Sequence, residues 1–478
     1  MKNCGLLIVV LAAALLQTVC AQTDGWISLF DGKTLEDWKA SENPNSWKVE
    51  NGVLVTAGPR SHLFYVGKVQ NAQFKNFEFS ADVMTTPNSN SGIYIHTAYQ
   101  ESGWPSKGYE LQVINSNPPA EPGKYVERKM TGSVYAIRNV WKAPANDNEW
   151  FNYRIVVQGK TIQSFINGEL TAEYTESAAP YRPKGMQERL LGSGTFALQC
   201  HDPNSRVYFK NIKVKPLPDD LPTPGRALED PELDKVLTEL AAKNFPLMDL
   251  HVHLKGGLTM DEALANARFY GLTYGIAFNC GLQMGFENDS TLQAFLSTYQ
   301  KPPTTYLAMQ AEGREWLDLF SESSIAEFDY VFTDAMTWTN DAGKRMRLWI
   351  KEETEIGDPQ QFMEMLTARI ETIVATEPID IYVNATFLPE AISTDYDKLW
   401  TKKRMDRVIK ALRDNNVAME INDRYRIPSA AFIKRAKAAG VKFTFGTNNG
   451  GKDDLGHLGY CLQMIEECDL KPDDMWLP

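Results

Sequence analysis

Two short stretches of the chain carry side chains with chemistry on segments that otherwise read as apolar strands. They are residues 90–96 (NSGIYIH) and residues 248–254 (MDLHVHL). In the second stretch His251 and His253 stand two residues apart, a spacing at which a strand points both imidazoles to one side, as a metal-binding pair requires. Two unrelated strand histidines are the alternative. Because the two stretches lie in segments of different periodicity, we expect two domains with two separate sites.

The elements that must position the first stretch are short strands. From Trp26 to about Lys215, alternating apolar and polar runs are separated by turn residues, and Asn167-Gly168 is a dipeptide typical of two-residue hairpins. About a dozen such strands with almost no helical period predict an all-β sandwich or jelly roll.

The elements around the second stretch alternate between two periods. Residues 216–231 hold five prolines and no apolar periodicity, which predicts a linker, and residues 232–478 then alternate strand-like runs with amphipathic helical stretches. Seven such units predict a parallel (β/α)7 barrel, in which the chemistry lies just past the C-termini of the strands.

Polar side chains follow the strand-like runs of the predicted barrel at those positions. They are Glu312, Arg314, Asp334, Thr337, Asn384, Glu420, Asn422, Thr447, Asn448 and Asn449. One such residue alone is more typical of a cap or a loop. Together with His251 and His253 of the first strand, six strand ends carry polar side chains, which predicts a polar site in the barrel.

The second half resembles the PHP family (polymerase and histidinol phosphatase) of metal-dependent, phosphoesterase-type barrels with seven β/α units. The resemblance rests on the HVH of the first strand, on Glu312 and on a G-T-N-N-G turn after the last strand. It implies a divalent metal on His251, His253 and Glu312. The family's last motif usually offers an aspartate and a histidine, where this chain has Asn448 and Gly450, and the loss of such ligands weakens a metal cluster. A single-metal site and a degenerate, non-catalytic barrel therefore both remain open.

The first half resembles the 3-keto-disaccharide hydrolase family, a concanavalin-like jelly roll, over nearly its whole length. The motifs that carry the resemblance are GWISLFDGKTLEDWKA, SWKVENGVL, NSGIYIH, GYELQVIN, TGSVY and LQCHDPNSRVYFKNIKVKPL. The resemblance implies a hydrolase or lyase/hydratase that acts on glycosides already oxidised at C3. The ketone acidifies the C2 proton, a base removes that proton, the C1 group leaves by elimination, and water adds to the enone. A divalent metal held by the enediolate oxygens would stabilise the developing charge.

The same resemblance indicates which side chains of the first half take part. Glu110 and Gln112 alternate with apolar neighbours and so face one side of their strand, which the resemblance makes the sugar-binding side. We expect Glu110 and His201 to act as metal ligands or as acid and base groups. The predicted substrate-binding residues are His96, Gln112, Tyr135 and Trp104, whose indole would stack on a sugar face. A solvent-facing Glu110, a surface His96 and a Trp104 that only plugs its loop are the alternatives.

Length, charge and the N-terminal residues limit the class of protein. At 478 residues, with 43% hydrophobic and 11% aromatic content, the chain can bury two cores, and its net charge of -12 argues against nucleic acid as a partner. Lys2, an apolar run at residues 6–16 and Val19-Cys20-Ala21 predict a signal peptide over residues 1–21 and a periplasmic or secreted protein, with a lipoprotein less favoured because Val19 precedes Cys20. No second stretch approaches the roughly 18 apolar residues of a membrane span.

These observations favour an exported enzyme that cleaves 3-keto-glycosides or 3-keto-disaccharides in residues 22–215, fused to a PHP-like, metal-dependent hydrolase barrel of unassigned substrate. The alternative is a carbohydrate-binding jelly roll attached to a hydrolytic or degenerate barrel, because such sandwiches serve both purposes. A third possibility places the only chemistry in the barrel, as phosphoester or amide hydrolysis. The titratable Glu110, His201 and His96 favour catalysis, because binding modules rely on exposed aromatic platforms.

Overall fold

A computed structural model of the chain describes residues 25–119, 124–340, 342–456 and 458–478. The predicted signal peptide, residues 1–21, lies outside the described residues. Within the described ranges, no helix combines the length and the apolar character that crossing a membrane requires.

The first unit, residues 25–216, is called the sandwich domain here. Its strands are β1 (Ile27–Ser28), β2 (Trp38–Ala40), β3 (Trp47–Glu50), β4 (Val53–Thr56), β5 (Ser61–Tyr65), β6 (Phe77–Thr85), β7 (Ser91–Thr97), β8 (Tyr109–Val113), β9 (Phe151–Gln158), β10 (Thr161–Ile166), β11 (Glu169–Thr175), β12 (Thr195–Cys200) and β13 (Val207–Pro216). One antiparallel sheet has the order β11-β10-β9-β6-β13-β4-β3, with β1 beside β13, and the other has the order β2-β5-β12-β7-β8. The predicted all-β sandwich is confirmed.

Alternation of side chains along the strands builds the core of the sandwich domain. Every second residue of β9 is buried, as expected for a strand with one face on the core. Phe79, Leu111 and Phe196 are fully buried between the two sheets, and complete burial of each such side chain contributes roughly 1.5–3 kcal/mol. The predicted hairpin at Asn167-Gly168 joins β10 to β11.

The second unit, residues 231–478, is called the barrel domain here. Its strands are β14 (Met248–Val252), β15 (Thr273–Gly281), β16 (Met284–Gly285), β17 (Tyr306–Ala311), β18 (Tyr330–Thr333), β19 (Thr337–Thr339), β20 (Arg345–Arg347), β21 (Ile381–Tyr382), β22 (Ala418–Asn422) and β23 (Phe443–Gly446). Its helices are α1 (Pro231–Ala242), α2 (Met260–Tyr270), α3 (Asp289–Leu296), α4 (Trp316–Leu319), α5 (Glu322–Ile325), α6 (Pro359–Thr376), α7 (Glu390–Ser393), α8 (Tyr396–Leu399), α9 (Lys402–Asp414), α10 (Ala430–Ala438) and α11 (Gly459–Glu467).

Seven parallel strands of the barrel domain close into a ring, in the order β14-β23-β22-β21-β18-β17-β15 and back to β14. Local sequence fixes the helices between them. For example, α2 begins with a capping box between Thr259 and Glu262 and ends at Gly271, whose φ of 73° suits a residue without a side chain. The predicted (β/α)7 barrel is confirmed, and β16 adds a short antiparallel strand beside β15.

A loop of the sandwich domain, residues 124–142, holds the two domains together. Trp141 is part of the apolar core of the barrel domain, and its Nε1–H donates to the carbonyl oxygen of Gly271 at 3.2 Å. The buried Arg138 guanidinium pairs with Asp234 of α1 at 3.0 Å. Residues 217–230, which form neither helix nor strand, run along the sandwich domain, where the carbonyl oxygen of Pro218 accepts from Asn76 at 2.8 Å.

Candidate functional site

A cavity of about 310 Å³ lies against strands β7, β8 and β12 of the sandwich domain. This sandwich cavity is lined by Asn90, Tyr94, Trp104, Pro105, Ser106, Glu110, Gln112, Glu127, Tyr135, Gly185, Met186, Arg189, Gln199 and His201. Among these are five of the six residues predicted for the first half of the chain. Loops cover this face of the sheet, which is why β8 is buried on both of its faces.

Glu110 is the central buried carboxyl group of the sandwich cavity. Its Oε1 accepts from Gln199 Nε2 at 2.9 Å, and its Oε2 lies 3.7 Å from the guanidinium of Arg189. Burial raises the pKa of the Glu110 carboxyl group, while Arg189, Tyr94 and Gln199 oppose that shift. A side chain at Gly92 would come within 2.6 Å of Oε1, so the glycine of the NSGIYIH motif makes room for this carboxyl group.

The residues on the floor of the cavity are neighbours because of the register of their strands. Tyr94 of β7 pairs with Glu110 of β8, and Gly92 pairs with Gln112. On the other side, Gln199 of β12 pairs with His62 of β5. Because directly paired residues point to the same face, His62 shares the face of the sheet that the cavity occupies.

Buried polar atoms without a hydrogen-bond partner among the described residues concentrate on this face. They are Gln112 Oε1, Gln199 Oε1, Arg189 Nη1 and both ring nitrogens of His62. Unpaired buried polar atoms are rare in folded proteins, because each costs about 1–3 kcal/mol. Acceptors and donors placed side by side in this way suit a ligand that carries several hydroxyl groups.

His201 stands at the rim of the sandwich cavity with a carboxylate beside it. Its Nδ1 lies 2.7 Å from Oδ2 of Asp202, and both side chains are about one third exposed, at 33% and 35%. Although burial opposes it, the hydrogen bonds from His201, Ser205 and Asn204 lower the pKa of Asp202. A carboxylate at Nδ1 fixes the tautomer of the ring and leaves Nε2 to accept a proton.

Trp104 and Tyr135 both line the sandwich cavity. The Trp104 ring lies 5.1 Å from the ring of His201. The Tyr135 hydroxyl donates to Glu127 at 3.2 Å, and the ammonium group of Lys129 lies 2.7 Å from the other oxygen of Glu127. Burial lowers the pKa of Lys129, and Glu127 opposes that shift.

The structure does not bring His96 to the cavity. Its Nε2 lies 2.8 Å from the carbonyl oxygen of Lys75, its Nδ1 accepts from the backbone of Gly192 at 3.2 Å, and its ring packs against Phe77. Its φ of 52° breaks the alternation of β7, so the side chain two residues after Tyr94 turns away from the cavity. The expectation that His96 lines the pocket is corrected accordingly.

The predicted polar residues of the barrel domain do come together at the C-terminal ends of its strands. They form the strand-end network, which comprises His251, His253, Gln310, Glu312, Asp334, Asn384, Glu420, Asn422 and Asn448. Glu420 accepts from the backbone N–H of Asn384 at 2.8 Å and lies 2.6 Å from His251 Nδ1. Burial and the nearby Asp334 raise the pKa of Glu312 to about 8.

Side-chain donors surround the carboxyl group of Glu312. The carboxamide of Gln310 lies between the two kinds of predicted ligand, with Oε1 3.3 Å from His251 Nε2 and Nε2 donating to Glu312 at 2.8 Å. Asn279 and Thr337 also donate to Glu312, at 3.1 Å each. Both oxygens of the Glu312 carboxyl group therefore already accept hydrogen bonds from neighbouring side chains.

Side-chain amides also donate hydrogen bonds to the other carboxyl groups of the strand-end network. Asn384 Nδ2 donates to Asp334 at 2.8 Å, and Asn422 Nδ2 donates to Glu420 at 3.0 Å. Asn448 Nδ2 donates to the side-chain oxygen of Asn384 at 3.2 Å. Across the residues that the structure describes, no group of three or more His, Cys, Asp or Glu side chains is arranged to hold a metal ion. The predicted metal triad of His251, His253 and Glu312, and a protein-held metal at Glu110 and His201, are therefore not supported by the geometry.

Several residues in or beside the sandwich cavity were not predicted from the sequence, among them Tyr94, Arg189, Gln199 and His62. Gln199 stands two residues before His201 in the LQCH motif, and Tyr94 stands in NSGIYIH, so the alternation of strands gave a signal for both. Arg189 lies in a loop without periodicity, and His62 lies in a strand outside the motifs, so neither carried a local signal.

The sandwich domain matches a known protein family. Residues 25–215 match the family described as the 3-keto-alpha-glucoside-1,2-lyase-like domain. The 3-keto-disaccharide hydrolase of Bacteroides thetaiotaomicron is 26% identical over 237 residues, an alignment that covers 41% of this chain and 79% of the relative. A solved structure from Parabacteroides distasonis with the provisional name glycosyl hydrolase is 25% identical, covers 41% of this chain and 95% of that one, and has a TM-score of 0.36.

A second solved structure is also similar to part of the chain. The histidinol phosphate phosphatase of Lactococcus lactis, solved with zinc, L-histidinol and phosphate, is 13% identical, covers 47% of this chain and 94% of that one, and has a TM-score of 0.32. The family match agrees in its limits with the strands of the sandwich domain, which run from Ile27 to Pro216. Residues 25–215 of this chain are thus a 3-keto-alpha-glucoside-1,2-lyase-like domain, joined to a closed, seven-stranded parallel barrel.

Proposed function

We propose that the sandwich domain cleaves glycosides that carry a ketone at C3, by elimination followed by addition of water. The observation that carries the proposal is the pairing of two features in one cavity. A histidine whose ring is oriented by a carboxylate, His201 with Asp202, stands at the rim. Unpaired polar atoms of Gln112, Gln199 and Arg189 lie on the floor and suit the hydroxyl and carbonyl oxygens of a sugar.

In the first step, Nε2 of His201 removes the proton at C2, and the electron pair of that C–H bond moves onto the carbonyl oxygen at C3. Asp202 stabilises the imidazolium that forms, since its carboxylate lies at Nδ1. The Arg189 guanidinium, whose Nη1 has no partner among the described residues, donates to the negatively charged oxygen at C3.

In the second step, the bond between C1 and the leaving oxygen breaks, and an enone forms. The leaving oxygen needs a proton, and Glu110 supplies it, since burial raises the pKa of this carboxyl group and favours its protonated form. Water then adds at C1, Glu110 recovers a proton from it, and C2 takes back the proton held by His201. The sum is one glycoside and one water converted to a 3-keto sugar and an alcohol.

The test compares a 3-keto-glucoside with its unoxidised parent, using the full chain. The proposal expects cleavage of the keto substrate alone, because only the ketone acidifies the C2 proton, and expects that Glu110→Gln abolishes it. Cleavage of both substrates at similar rates would contradict the elimination route. Binding of either sugar without cleavage would make the domain a carbohydrate-binding module, the alternative that the same unpaired polar atoms also suit.

The barrel domain is proposed to act as a folded support for the sandwich domain. The support for this is the strand-end network, in which protein amides satisfy the carboxylates, and the interface through residues 124–142. This interface reaches the cavity wall, because Glu127 and Tyr135 belong to the same loop.

A further inference from the structure

The loop of residues 181–191, called the arginine loop here, lies between β11 and β12 and carries Arg189 to the sandwich cavity. The loop forms neither helix nor strand, so no ladder of backbone hydrogen bonds fixes the place of Arg189. Within the cavity, its guanidinium lies 3.7 Å from Glu110 and 5.3 Å from the centre of the Tyr94 ring. Its Nη1 has no partner among the described residues. The direction of this long side chain therefore depends on how firmly its backbone is held.

Arg182 of the same loop holds the backbone of Arg189 directly. Its Nε–H donates to the carbonyl oxygen of Arg189 at 2.7 Å, and its Nη1 donates to the carbonyl oxygen of Tyr181 at 2.6 Å. Its Nη2 donates to the hydroxyl groups of Tyr109 and Tyr174, the second at 3.0 Å. Each nitrogen of this guanidinium thus has an acceptor, and 3% of the side chain is exposed. A rigid, planar fork with all three nitrogens bound fixes the carbonyl group that it contacts.

A buried carboxylate, that of Glu176, holds the arginine loop on the other side of residue 189. Its Oε2 accepts from the backbone N–H of Leu191 at 2.8 Å and from the Tyr109 hydroxyl at 2.6 Å, and it lies 3.7 Å from Nη2 of Arg182. Its Oε1 accepts from Lys160 at 2.7 Å. The carbonyl group of residue 189 and the N–H of residue 191 are therefore both bound to one buried ion pair.

Stability alone does not account for a buried guanidinium at this place. The loss of hydration offsets much of the attraction within a buried ion pair, and apolar side chains of similar volume often replace such a pair without loss of stability. An apolar side chain at residue 182 would, however, offer no N–H to the carbonyl oxygen of Arg189. The directed hydrogen bond from Arg182 is thus the contribution that only this side chain supplies.

We propose that Arg182 is a positioning residue for the elimination, which holds Arg189 in place to donate to the negatively charged oxygen at C3. The proposal rests on the proposed function and adds the residue on which its oxyanion donor depends. A donor that is fixed before the charge develops stabilises the transition state more than the bound substrate. Loss of the hydrogen bond from Arg182 therefore lowers kcat and leaves KM nearly unchanged.

The first test uses Arg182→Lys in the full chain, which keeps a positive charge beside Glu176 but lacks the fork that reaches the carbonyl oxygen of Arg189. With methyl 3-keto-glucoside as substrate, we expect kcat to fall roughly 10-fold and KM to stay within about twofold. Arg154→Lys, at an arginine that pairs with Glu78 outside the cavity, is the matched control and should change neither constant. An unchanged kcat, or a rise in KM alone, would overturn the proposal.

A double-mutant cycle distinguishes positioning from a general effect on the fold. If Arg182 acts through Arg189, then Arg182→Lys has no further effect once Arg189→Ala has removed the guanidinium. The double variant should therefore have the kcat of Arg189→Ala within about twofold. Losses that multiply in the double variant would show that Arg182 acts independently of Arg189, and the proposal would be wrong.

A readout on the free protein separates this proposal from the reaction itself. If the wild-type chain cleaves no keto substrate, the proposed reaction fails, and the position of Arg189 is judged by NMR of the chain labelled with 15N-arginine. The Nε–H resonance of Arg189, identified by its loss in Arg189→Lys, should be sharp in the wild type and in Arg154→Lys. It should broaden or disappear in Arg182→Lys, because a mobile guanidinium exchanges its protons with solvent. The same sharp resonance in Arg182→Lys, or none in the wild type, would overturn the positioning role.

Discussion

Nδ1 of His201 lies 2.7 Å from Oδ2 of Asp202, the next residue along the chain. The same carboxylate accepts from the backbone N–H of Asn204 at 2.8 Å and from the Ser205 hydroxyl at 2.9 Å. Asp202, Asn204 and Ser205 thus build a support for the His201 imidazole at the rim of the sandwich cavity. This short-range arrangement lies just past the end of β12, where the strand fixes the direction of the ring.

Asp202→Asn should lower kcat about 100-fold or more and leave KM for a 3-keto-glucoside nearly unchanged, because the amide no longer stabilises the imidazolium. Steady-state kinetics of the full chain measure both constants. Asp219→Asn, at an exposed aspartate outside the cavity, is the control. A rise in KM with unchanged kcat would show that Asp202 serves binding rather than proton transfer.

Glu110→Gln should reduce turnover by roughly 100-fold or more while the protein stays folded, because glutamine has the same shape but cannot release a proton. Burial raises the pKa of this carboxyl group and so disfavours its charged form, and the neutral glutamine should therefore not lower the free energy of unfolding. Turnover and the urea midpoint are measured together, with the exposed Glu149→Gln as control. Unchanged turnover would remove Glu110 from the mechanism.

Two buried histidines should make the sandwich domain sensitive to acid. Burial lowers the pKa of His62 to about 3 and that of His96 to about 4, below the 6.5 of an exposed histidine. A lowered folded-state pKa gives stability that is present above pH 6.5 and is lost as the pH falls toward those values. Each histidine should therefore cost about 2 kcal/mol of unfolding free energy between pH 7 and pH 5.

Urea unfolding of wild type and His62→Phe at the two pH values measures this loss. The variant should lose about 2 kcal/mol less than the wild type, since phenylalanine does not titrate. Equal losses in the two proteins would mean that the pKa of His62 does not change on folding.

The barrel domain should fold and stay folded without a metal ion, because N–H groups of Gln310, Asn384 and Asn422 already satisfy its buried carboxylates. We expect less than stoichiometric zinc, manganese or iron in the purified chain by elemental analysis, and the same melting temperature with and without a chelator. A metal present at one ion per chain and lost in the double variant His251→Ala, His253→Ala would restore the predicted metal centre.

The interface between the domains should affect the sandwich cavity from a distance. Asn244 of the barrel domain accepts from the Arg128 N–H at 3.0 Å, and its Nδ2 donates to the carbonyl oxygen of Val126 at 2.7 Å. These bonds flank Glu127 in the cavity wall, and each buried group left unpaired costs about 1–3 kcal/mol.

Asn244→Ala should therefore lower kcat/KM for a 3-keto-glucoside severalfold, although residue 244 does not touch the cavity. The exposed Asn415→Ala, in the same domain, is the control and should have no effect on kinetics. Unchanged kcat/KM in Asn244→Ala would show that the position of the cavity wall around Glu127 does not depend on contacts with the barrel domain.

Periodicity determined both folds in advance. In the first half, apolar and polar residues alternate with a period of two, and in the second half strand-like runs alternate with helical stretches. Both patterns follow from local backbone geometry, so the sandwich and the barrel could be predicted from the sequence. Alternation also placed Glu110 and Gln112 on one side of their strand. The resemblance to the 3-keto-disaccharide hydrolase family, rather than periodicity, implied that this side binds the sugar and that His201 takes part.

Tertiary structure decided what local pattern does not encode. The left-handed backbone at His96 turned one predicted residue away, and the pairing of β5 with β12 brought His62 beside Gln199 from far along the chain. Gln310 lies in β17, and only the closed ring of strands placed its amide between His251 and Glu312. Contacts between distant residues depend on strand register and ring closure, and these depend on packing of the whole core.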